Sequence, residues 1–177
     1  GLSNAFTGLN PNTTYYFASR TQGHNGVTTE GINLPTTATY AMPPTASSAT
    51  MAFSSAVFSW GANGNPAGTN YYVEYSSDNF LTINESGTMP DLSVSIGPGI
   101  QLNTTFYFHV RAVNRAGVQT AYDVTIASPT FAAVPSVLAL SAVGAGAVTA
   151  KWGANANAPG SRYTVQAATD PVFGTLT

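Results

Sequence analysis

An internal repeat constrains the fold of this chain more than any other feature of its sequence. The segment Asn12–Phe17 (NTTYYF) recurs as Asn103–Phe108 (NTTFYF), an offset of 103 − 12 = 91 residues. The segment Trp60–Asn63 (WGAN) recurs as Trp152–Asn155, an offset of 152 − 60 = 92 residues, so one residue is inserted between the two blocks. Matches at a fixed period are the signature of repeated structural units, so the chain contains repeats of about 91 residues.

The offsets predict how the 177 residues are divided among the repeats. Residues 39–130 are expected to form one complete repeat. Residues 1–38 correspond to the C-terminal half of a repeat, with its last strands, and residues 131–177 to the N-terminal half of a third, with its first strands. The two ends together make nearly one repeat, which lacks only the loop equivalent to 86–90. Neither half is expected to be stable alone, since about 40 residues bury too little apolar surface to offset chain entropy.

Short β-rich runs separated by Gly, Pro and Asn predict an all-β fold, and no stretch shows sustained helical periodicity. Seven short strands in one repeat are typical of a two-sheet antiparallel sandwich. In the central repeat the predicted strands are 45–50, 53–60, 70–76, 79–84, 91–97, 104–114 and 118–127.

Side-chain alternation along these strands separates a core face from an outer face. Phe106 and Phe108 fall on the core face of the sixth strand. The outer face carries the candidate binding residues Tyr72, Glu74, Tyr107, His109 and Arg111. Aromatic side chains among polar groups suit carbohydrate or protein recognition, whereas ordinary cross-strand packing explains the same pattern.

The order of these motifs resembles the fibronectin type III family. Leu9–Tyr15 (LNPNTTY) is similar to the family signature before the sixth strand, and Arg111–Gly117 (RAVNRAG) to the end of that strand and its loop. Trp60 and Trp152 stand where the family keeps a core tryptophan on its second strand. The resemblance implies tandem fibronectin type III or immunoglobulin-like sandwiches, as in bacterial-type extracellular or surface proteins. It favours core packing for both tryptophans over a role as sugar-stacking platforms.

A tyrosine near the start of the sixth strand is a further feature of such sandwiches, because its hydroxyl bonds the nearby backbone. Tyr15 can supply this hydroxyl, and its side chain is expected in a core. The aligned residue of the central repeat is Phe106, which we expect to be buried without that bond. Thr104 or Thr105 is expected to satisfy the backbone instead.

Charge and composition exclude several classes of partner. Lys and Arg total 5, Asp and Glu total 7, and charged residues make up 7% of the chain, against about 25% in an average soluble protein. The net charge of −2 gives no basic surface for nucleic acid or anionic lipid. No apolar run approaches the roughly 20 residues of a membrane span, and no segment of the sequence is predicted to be a signal peptide. Cysteine is absent, so no disulfide or thiol chemistry is expected.

Catalytic and metal-binding motifs are also missing from the sequence. Acid–base catalysis needs paired titratable groups, but the seven carboxylates are scattered singly. His24 falls in a predicted turn. Segments 61–70 and 153–162 are rich in Gly, Asn and Pro but contain no carboxylate for calcium, so they are predicted to be turns in which Asn adopts left-handed geometry. No catalytic residue, metal ligand or cofactor is predicted.

Three Asn-x-Ser/Thr sequons, at Asn12, Asn84 and Asn103, are candidate glycosylation sites. Asn12 and Asn103 are predicted to lie in the exposed turn before a strand, where a glycan would fit. Chance matches are common in a chain this rich in Asn and Thr, so the sequons alone do not establish modification.

These features together predict a structural repeat of an extracellular filament or long cell-surface protein. Identical or tandem units are the expected partners, head to tail, with residues 1–38 completing the 131–177 half-sandwich of a neighbouring unit. Such a contact does not close on itself and generates a filament. A covalently continuous tandem array would form the same sandwich. The alternatives are an adhesive or carbohydrate-binding module, with glycans or surface proteins as partners, and a spacer of a larger secreted enzyme.

Overall fold

The computed structural model describes residues 2–174, and these contain β-strands connected by turns and loops. The all-β class predicted from the sequence is confirmed. The strands are β1 (Thr14–Tyr15), β2 (Ala18–Ser19), β3 (Ile32–Asn33), β4 (Thr37–Ala38), β5 (Thr45–Met51), β6 (Ala56–Gly61), β7 (Asn70–Ser76), β8 (Asn84–Met89), β9 (Ser93–Ile96), β10 (Thr105–Val113), β11 (Ile126–Pro129), β12 (Ser136–Ser141) and β13 (Thr149–Gly153).

Strands β5 to β11 form a sandwich of two antiparallel sheets. One sheet has three strands in the order β5-β6-β9, and the other has four in the order β11-β10-β7-β8. This arrangement is the predicted fibronectin type III-like sandwich. The longest strand, β10, pairs with β7 along its length, with Val110 opposite Val73 and His109 opposite Glu74.

Aromatic side chains fill the space between the two sheets. Phe58 of one sheet stacks on Phe108 of the other with ring centroids 5.4 Å apart. Trp60 lies 5.6 Å from the ring of Tyr71 and is only 5% exposed. Phe106 is also buried. Each such side chain stabilises the fold by about 1.5–3 kcal/mol when it leaves water.

Two of the predicted strands are wrong in position, and side-chain hydrogen bonds explain both. The fourth was expected at 79–84 but lies at β8, because Ser76 nucleates a turn. Its hydroxyl donates to Asp78 Oδ1 at 2.6 Å and accepts the Phe80 N–H at 3.0 Å. Such local side-chain bonds compete with the strand ladder.

The last strand of the sandwich was expected at 118–127 and is instead the short β11. Before it, the Asp123 carboxylate accepts the Val110 N–H at 2.9 Å, and the Thr120 hydroxyl accepts the Ala112 N–H at 3.0 Å. These side chains take the β10 donors that a neighbouring strand would otherwise pair with. The Thr120 and Asp123 N–H groups still donate to the Ala112 and Val110 carbonyls, both at 2.9 Å, so the segment runs beside β10 with only part of a strand ladder.

The terminal segments form smaller pieces of sheet that keep the pairing of the central sandwich. In β1 and β4, Tyr15 pairs with Thr37, as Phe106 pairs with Ser128 in β10 and β11. In β12 and β13, Ser136 pairs with Gly153, as Thr45 pairs with Gly61 in β5 and β6. Every one of these positions differs from its counterpart by the sequence offset of 91 or 92 residues.

Several apolar side chains of the terminal segments face solvent although their counterparts are buried. Trp152 is 41% exposed and Val165 is 54% exposed, whereas Val73 is fully buried. Residues 162–167 form no strand, although the equivalent segment is β7. In the central sandwich β7 pairs with β10, and the described residues hold no strand equivalent to β10 beside 162–166.

Candidate functional site

A buried polar site lies where the N-terminal segment meets the central sandwich, and its centre is Asn12. Asn12 has no exposed surface. Its Nδ2 donates to the Thr69 hydroxyl at 2.8 Å, and its Oδ1 accepts the Arg115 N–H at 2.7 Å. Arg115 Nε donates to the Asn12 carbonyl oxygen at 3.1 Å. A buried amide bonded on both sides fixes the relative position of the segments it joins.

The same contact recurs at the opposite end of the sandwich, with Asn103 in the place of Asn12. Asn103 Nδ2 donates to the Ser161 hydroxyl at 2.7 Å, and Ser161 lies 92 residues after Thr69. Both hydroxyls donate onward to a backbone oxygen three residues earlier, on Pro66 at 2.7 Å and on Ala158 at 2.6 Å. Asn12 and Asn103 have φ angles of 44° and 49°, a left-handed geometry that Asn tolerates well.

A second pair of asparagines forms hydrogen bonds to the backbone of the connections that precede β5 and β12. Asn65 bonds both backbone groups of Met42 at 2.8 Å, as donor to the carbonyl and as acceptor from the N–H. Asn157 does the same to Ala133, at 2.7 Å and 2.9 Å. We call the two sets of contacts, around Asn12 with Asn65 and around Asn103 with Asn157, the unit junctions.

The sequence predicted turns in the two Asn-rich loops, and left-handed Asn is confirmed at Asn63 (φ 50°) and Asn155 (φ 52°). Sequence reasoning missed the clamping role of Asn65 and Asn157. The signal was present, because both residues recur at the offset of 92 beside the WGAN blocks.

The predicted outer-face residues come together on the four-stranded sheet. His109 Nε2 lies 2.8 Å from Glu74 Oε2, and Arg111 lies 3.9 Å from the other carboxylate oxygen. The Arg111 guanidinium also sits over the ring of Tyr72, 4.8 Å from its centroid. Tyr107 is opposite Ser76 at one end of this row. Glu74 lies on this outer face but is only 8% exposed.

Two aromatic residues that sequence reasoning missed cover Glu74 and His109. The His109 ring is stacked between Phe80, at 4.0 Å, and Tyr122, at 3.7 Å. Tyr122 also lies 4.5 Å from the Arg111 guanidinium. Both residues come from segments that were assigned to strands, so periodicity carried no signal for their position. We call these residues, with Tyr72, Glu74, His109 and Arg111, the outer-face cluster.

Electrostatics in the outer-face cluster favour an ionised Glu74. Burial alone raises the pKa of its carboxyl, but hydrogen bonds from His109 and Tyr122, with the charges of His109 and Arg111, outweigh burial and lower the pKa. Burial and the bond to Glu74 raise the pKa of Tyr122 above its ordinary value. The cluster is therefore a network of coupled side chains, in which Arg111 Nε is buried without a hydrogen-bond partner.

Tyr15 makes the hydrogen bond expected of it, since its hydroxyl accepts the Asn10 N–H at 2.9 Å. Thr104 donates to the Leu102 carbonyl at 3.1 Å, but Thr13 makes the equivalent bond to Pro11 at 2.9 Å beside Tyr15. The threonine bond therefore belongs to both units and does not compensate for the missing hydroxyl of Phe106.

The three sequons differ in accessibility. The exposed turn expected at Asn12 is wrong, because the unit junction buries this residue and occupies its amide. A glycan on its Nδ2 is incompatible with that packing. Asn103 is half-buried and bonded to Ser161, and Asn84 is exposed.

Within residues 2–174, no three His, Cys, Asp or Glu side chains come together as ligands for a metal ion. No helix in this part of the chain is long and apolar enough to cross a membrane.

No family model and no curated protein matches the chain. Among solved structures, it is similar to domains d3–d4 of the rat CD45 extracellular region, with 14% identity over 73% of this chain and 70% of that one, at a TM-score of 0.49. The chicken CNTN1 FN1–FN3 domains share 18% identity over 72% of this chain and 46% of that one, at a TM-score of 0.48. An Fn3-like protein from Clostridium thermocellum shares 22% identity over 53% of this chain and 96% of that one, at 0.43.

Proposed function

We propose that the chain is a non-catalytic structural repeat of an extracellular filament or long cell-surface protein. Residues 1–38 of one unit complete the half-sandwich 131–177 of a neighbouring unit, and 39–130 is the complete repeat between them. The observation that carries this proposal is the exposed apolar face of the C-terminal segment. Trp152 and Val165 face solvent at positions where the central sandwich buries Trp60 and Val73.

Residues 2–38 carry the kind of strands and apolar side chains that would complete the C-terminal segment. Among residues 2–174, segment 162–166 has no neighbouring strand equivalent to β10, and the N-terminal residues equivalent to β10 are 14–22, which contain β1 and β2. Its Phe6 and Phe17 rings lie 5.3 Å apart and form an apolar patch. Joining the two faces would remove both from water and pair their free strand edges, which are otherwise prone to association.

The geometry of the sandwich favours completion between units over closure within one chain. Asn103 precedes the first residue of β10 and Arg115 follows its last, so the two unit junctions lie at opposite ends of this strand. A nine-residue strand spans about 30 Å at 3.3 Å per residue. A head-to-tail contact is therefore available, and it extends from unit to unit without closing.

Cross-linking tests the proposal at one pair of positions. In the central sandwich His109 is opposite Glu74, and the offsets carry this pair to Ala18 and Gln166. Because the chain contains no cysteine, the double variant A18C/Q166C should give a ladder of disulfide-linked oligomers on oxidation, seen on a non-reducing gel.

A one-residue shift provides the matched control. In A18C/V165C the second cysteine points to the opposite face of the sheet, so no ladder is expected. Equal yields from both variants, or monomer alone from A18C/Q166C at high concentration, would contradict strand completion between copies.

An adhesive or carbohydrate-binding role of the outer face is the second candidate. Tyr72 and Tyr107 are both partly exposed, and Tyr72 lies beside the Arg111 guanidinium. Saturable binding to a glycan array that is lost in Y72A/Y107A would support this role. Binding that is unchanged in the double variant would exclude it.

A further inference from the structure

The junction at Asn12 depends on a turn that the central sandwich supplies. Arg115 is the second residue of this turn, which is closed by a 2.9 Å bond from the Gly117 N–H to the Asn114 carbonyl. The turn presents the Arg115 N–H to Asn12 Oδ1 at 2.7 Å and Arg115 Nε to the Asn12 carbonyl oxygen. One main-chain donor and one side-chain donor therefore hold the preceding unit.

The junction at Asn103 has the side-chain donor contact of the Asn12 junction but not the acceptor contact. Its Nδ2 is bonded to Ser161, as that of Asn12 is bonded to Thr69. Its Oδ1, which corresponds to the acceptor of the Arg115 N–H, accepts no hydrogen bond from residues 2–174. The matching donor would come from the turn that follows the sixth strand of the next sandwich.

The N-terminal segment contains that turn, with His24 in the place of Arg115. The Gly26 N–H donates to the Gly23 carbonyl at 2.9 Å, the same bond and length as in the Arg115 turn. Gly26 and Gly117 both have a φ of 80°. The bridge between Gln22 and Thr28 before this turn also matches the bridge between Val113 and Gln119.

We propose that His24 of one copy binds Asn103 of a second copy and completes the junction there. This inference rests on the proposed strand completion, because the completed sandwich brings the His24 turn to the position that the Arg115 turn occupies at Asn12. The His24 N–H donates to Asn103 Oδ1, and a ring N–H of His24 takes the place of Arg115 Nε opposite the Asn103 carbonyl oxygen. A neutral imidazole has one such donor, so the contact does not need a charge.

The main-chain donor can be removed without breaking the turn. His24 is the second residue of a β-turn, a position that proline favours in type I and type II turns. H24P lacks the N–H, whereas H24A keeps it and loses only the ring. We expect the dissociation constant between copies, measured by sedimentation equilibrium, to rise about fivefold for H24P, the factor for one neutral hydrogen bond, and less than twofold for H24A.

Variants of the acceptor test the same contact from the other copy. N103G keeps the left-handed backbone and removes the acceptor together with the Nδ2 bond to Ser161 of the same copy, so it should weaken association at least as much as H24P. N103D keeps an acceptor at this position and should associate as tightly as the unmodified chain. The double variant H24P/N103G should associate no more weakly than the worse single variant, since both changes remove the same bond between copies.

The outcomes separate the two proposals. If the A18C/Q166C ladder forms but H24P and N103G associate like the unmodified chain, or if their effects simply add, the His24 contact is wrong and strand completion stands. If neither the ladder nor reversible association is found, strand completion itself fails and the His24 contact fails with it.

Discussion

Trp60 and Trp152 occupy equivalent positions in the sequence and pack against equivalent tyrosines, but their environments differ. The ring of Trp60 lies 5.6 Å from that of Tyr71, and the ring of Trp152 lies 6.0 Å from that of Tyr163. Trp60 is 5% exposed and Trp152 is 41% exposed. The Trp–Tyr pair therefore forms from the second strand and the segment that follows it, whereas burial of the tryptophan also requires the rest of the opposite sheet.

The difference in exposure between the two tryptophans shows how much of the core forms in a segment that lacks the opposite sheet. In the central sandwich β10 brings Phe108 across from the facing sheet to stack on Phe58, and the Phe58 ring lies 5.5 Å from that of Trp60. Trp152 has no described strand across from it. Half a sandwich keeps its hairpin register but leaves its apolar face in water, which is the condition that association relieves.

The largest effect should come from removing the buried member of the pair. W60A is expected to lower the free energy of unfolding of the central sandwich by about 3–5 kcal/mol, the usual cost of truncating a buried aromatic. Urea denaturation followed by circular dichroism measures this change. W152A is the matched control in dilute solution, where it should cost less than about 1 kcal/mol. Equal costs for both variants would show that the comparison is mistaken.

Trp152 should matter for association instead. If strand completion buries it as Trp60 is buried, W152A removes about 3 kcal/mol of contact. The dissociation constant between copies should then rise by a factor on the order of 100. Sedimentation equilibrium measures the constant, with L138A as a control on an exposed position of β12. A W152A chain that associates as tightly as the unmodified chain would contradict burial at this position.

The outer-face cluster should make the free energy of unfolding of the central sandwich depend on pH through Glu74. Because the folded pKa of Glu74 is lowered, its contribution is present above the unfolded value of about 4.3 and is lost as the pH falls through the folded value. At pH 7, E74Q should therefore lower the free energy of unfolding by about 1–3 kcal/mol, the cost of losing charged hydrogen bonds.

This difference between E74Q and the unmodified chain should shrink as the pH falls through the lowered pKa of Glu74 and its carboxyl becomes neutral. Urea midpoints at pH 7 and pH 3 measure it, with the exposed Glu30 as the site of a control, E30Q. A difference that is the same at both pH values would mean that the charge of Glu74 contributes nothing.

The smallest expected change in stability comes from the hydroxyl that Tyr15 carries and the equivalent Phe106 lacks. Tyr15 accepts the Asn10 N–H at 2.9 Å, and Phe106 has no such group. F106Y should raise the free energy of unfolding of the central sandwich by about 0.5–1.5 kcal/mol, the net value of one hydrogen bond. Denaturation midpoints detect this change, and T105V serves as a control on an exposed neighbour. A lower midpoint for F106Y would mean that this corner has no room for the hydroxyl.

Periodic features of the fold were predictable from the sequence, and features set by local polar bonds were not. The all-β class and the burial of Trp60 and Phe108 follow from alternation and from the repeat. The positions of β8 and β11 do not, because the Ser76 and Asp123 side chains redirect the backbone at those points.

The candidate site divides in the same way. The row of outer-face residues was predictable because strand alternation places them together. The covering rings of Phe80 and Tyr122 come from loops whose course alternation does not determine. The recurrence of Asn65 as Asn157 is visible in the sequence. Their role in holding the connecting chain is known only from their hydrogen bonds to Met42 and Ala133.

The one-way chemistry of the unit junctions gives an assembly of this kind a polarity. The asparagine always belongs to the preceding unit, and the hydroxyl that it bonds, of Thr69 or Ser161, always belongs to the following one. Every subunit added by strand completion therefore points in the same direction along the axis. The two tips of such a fibre are chemically distinct, so a capping protein or a growing end could recognise one of them and ignore the other.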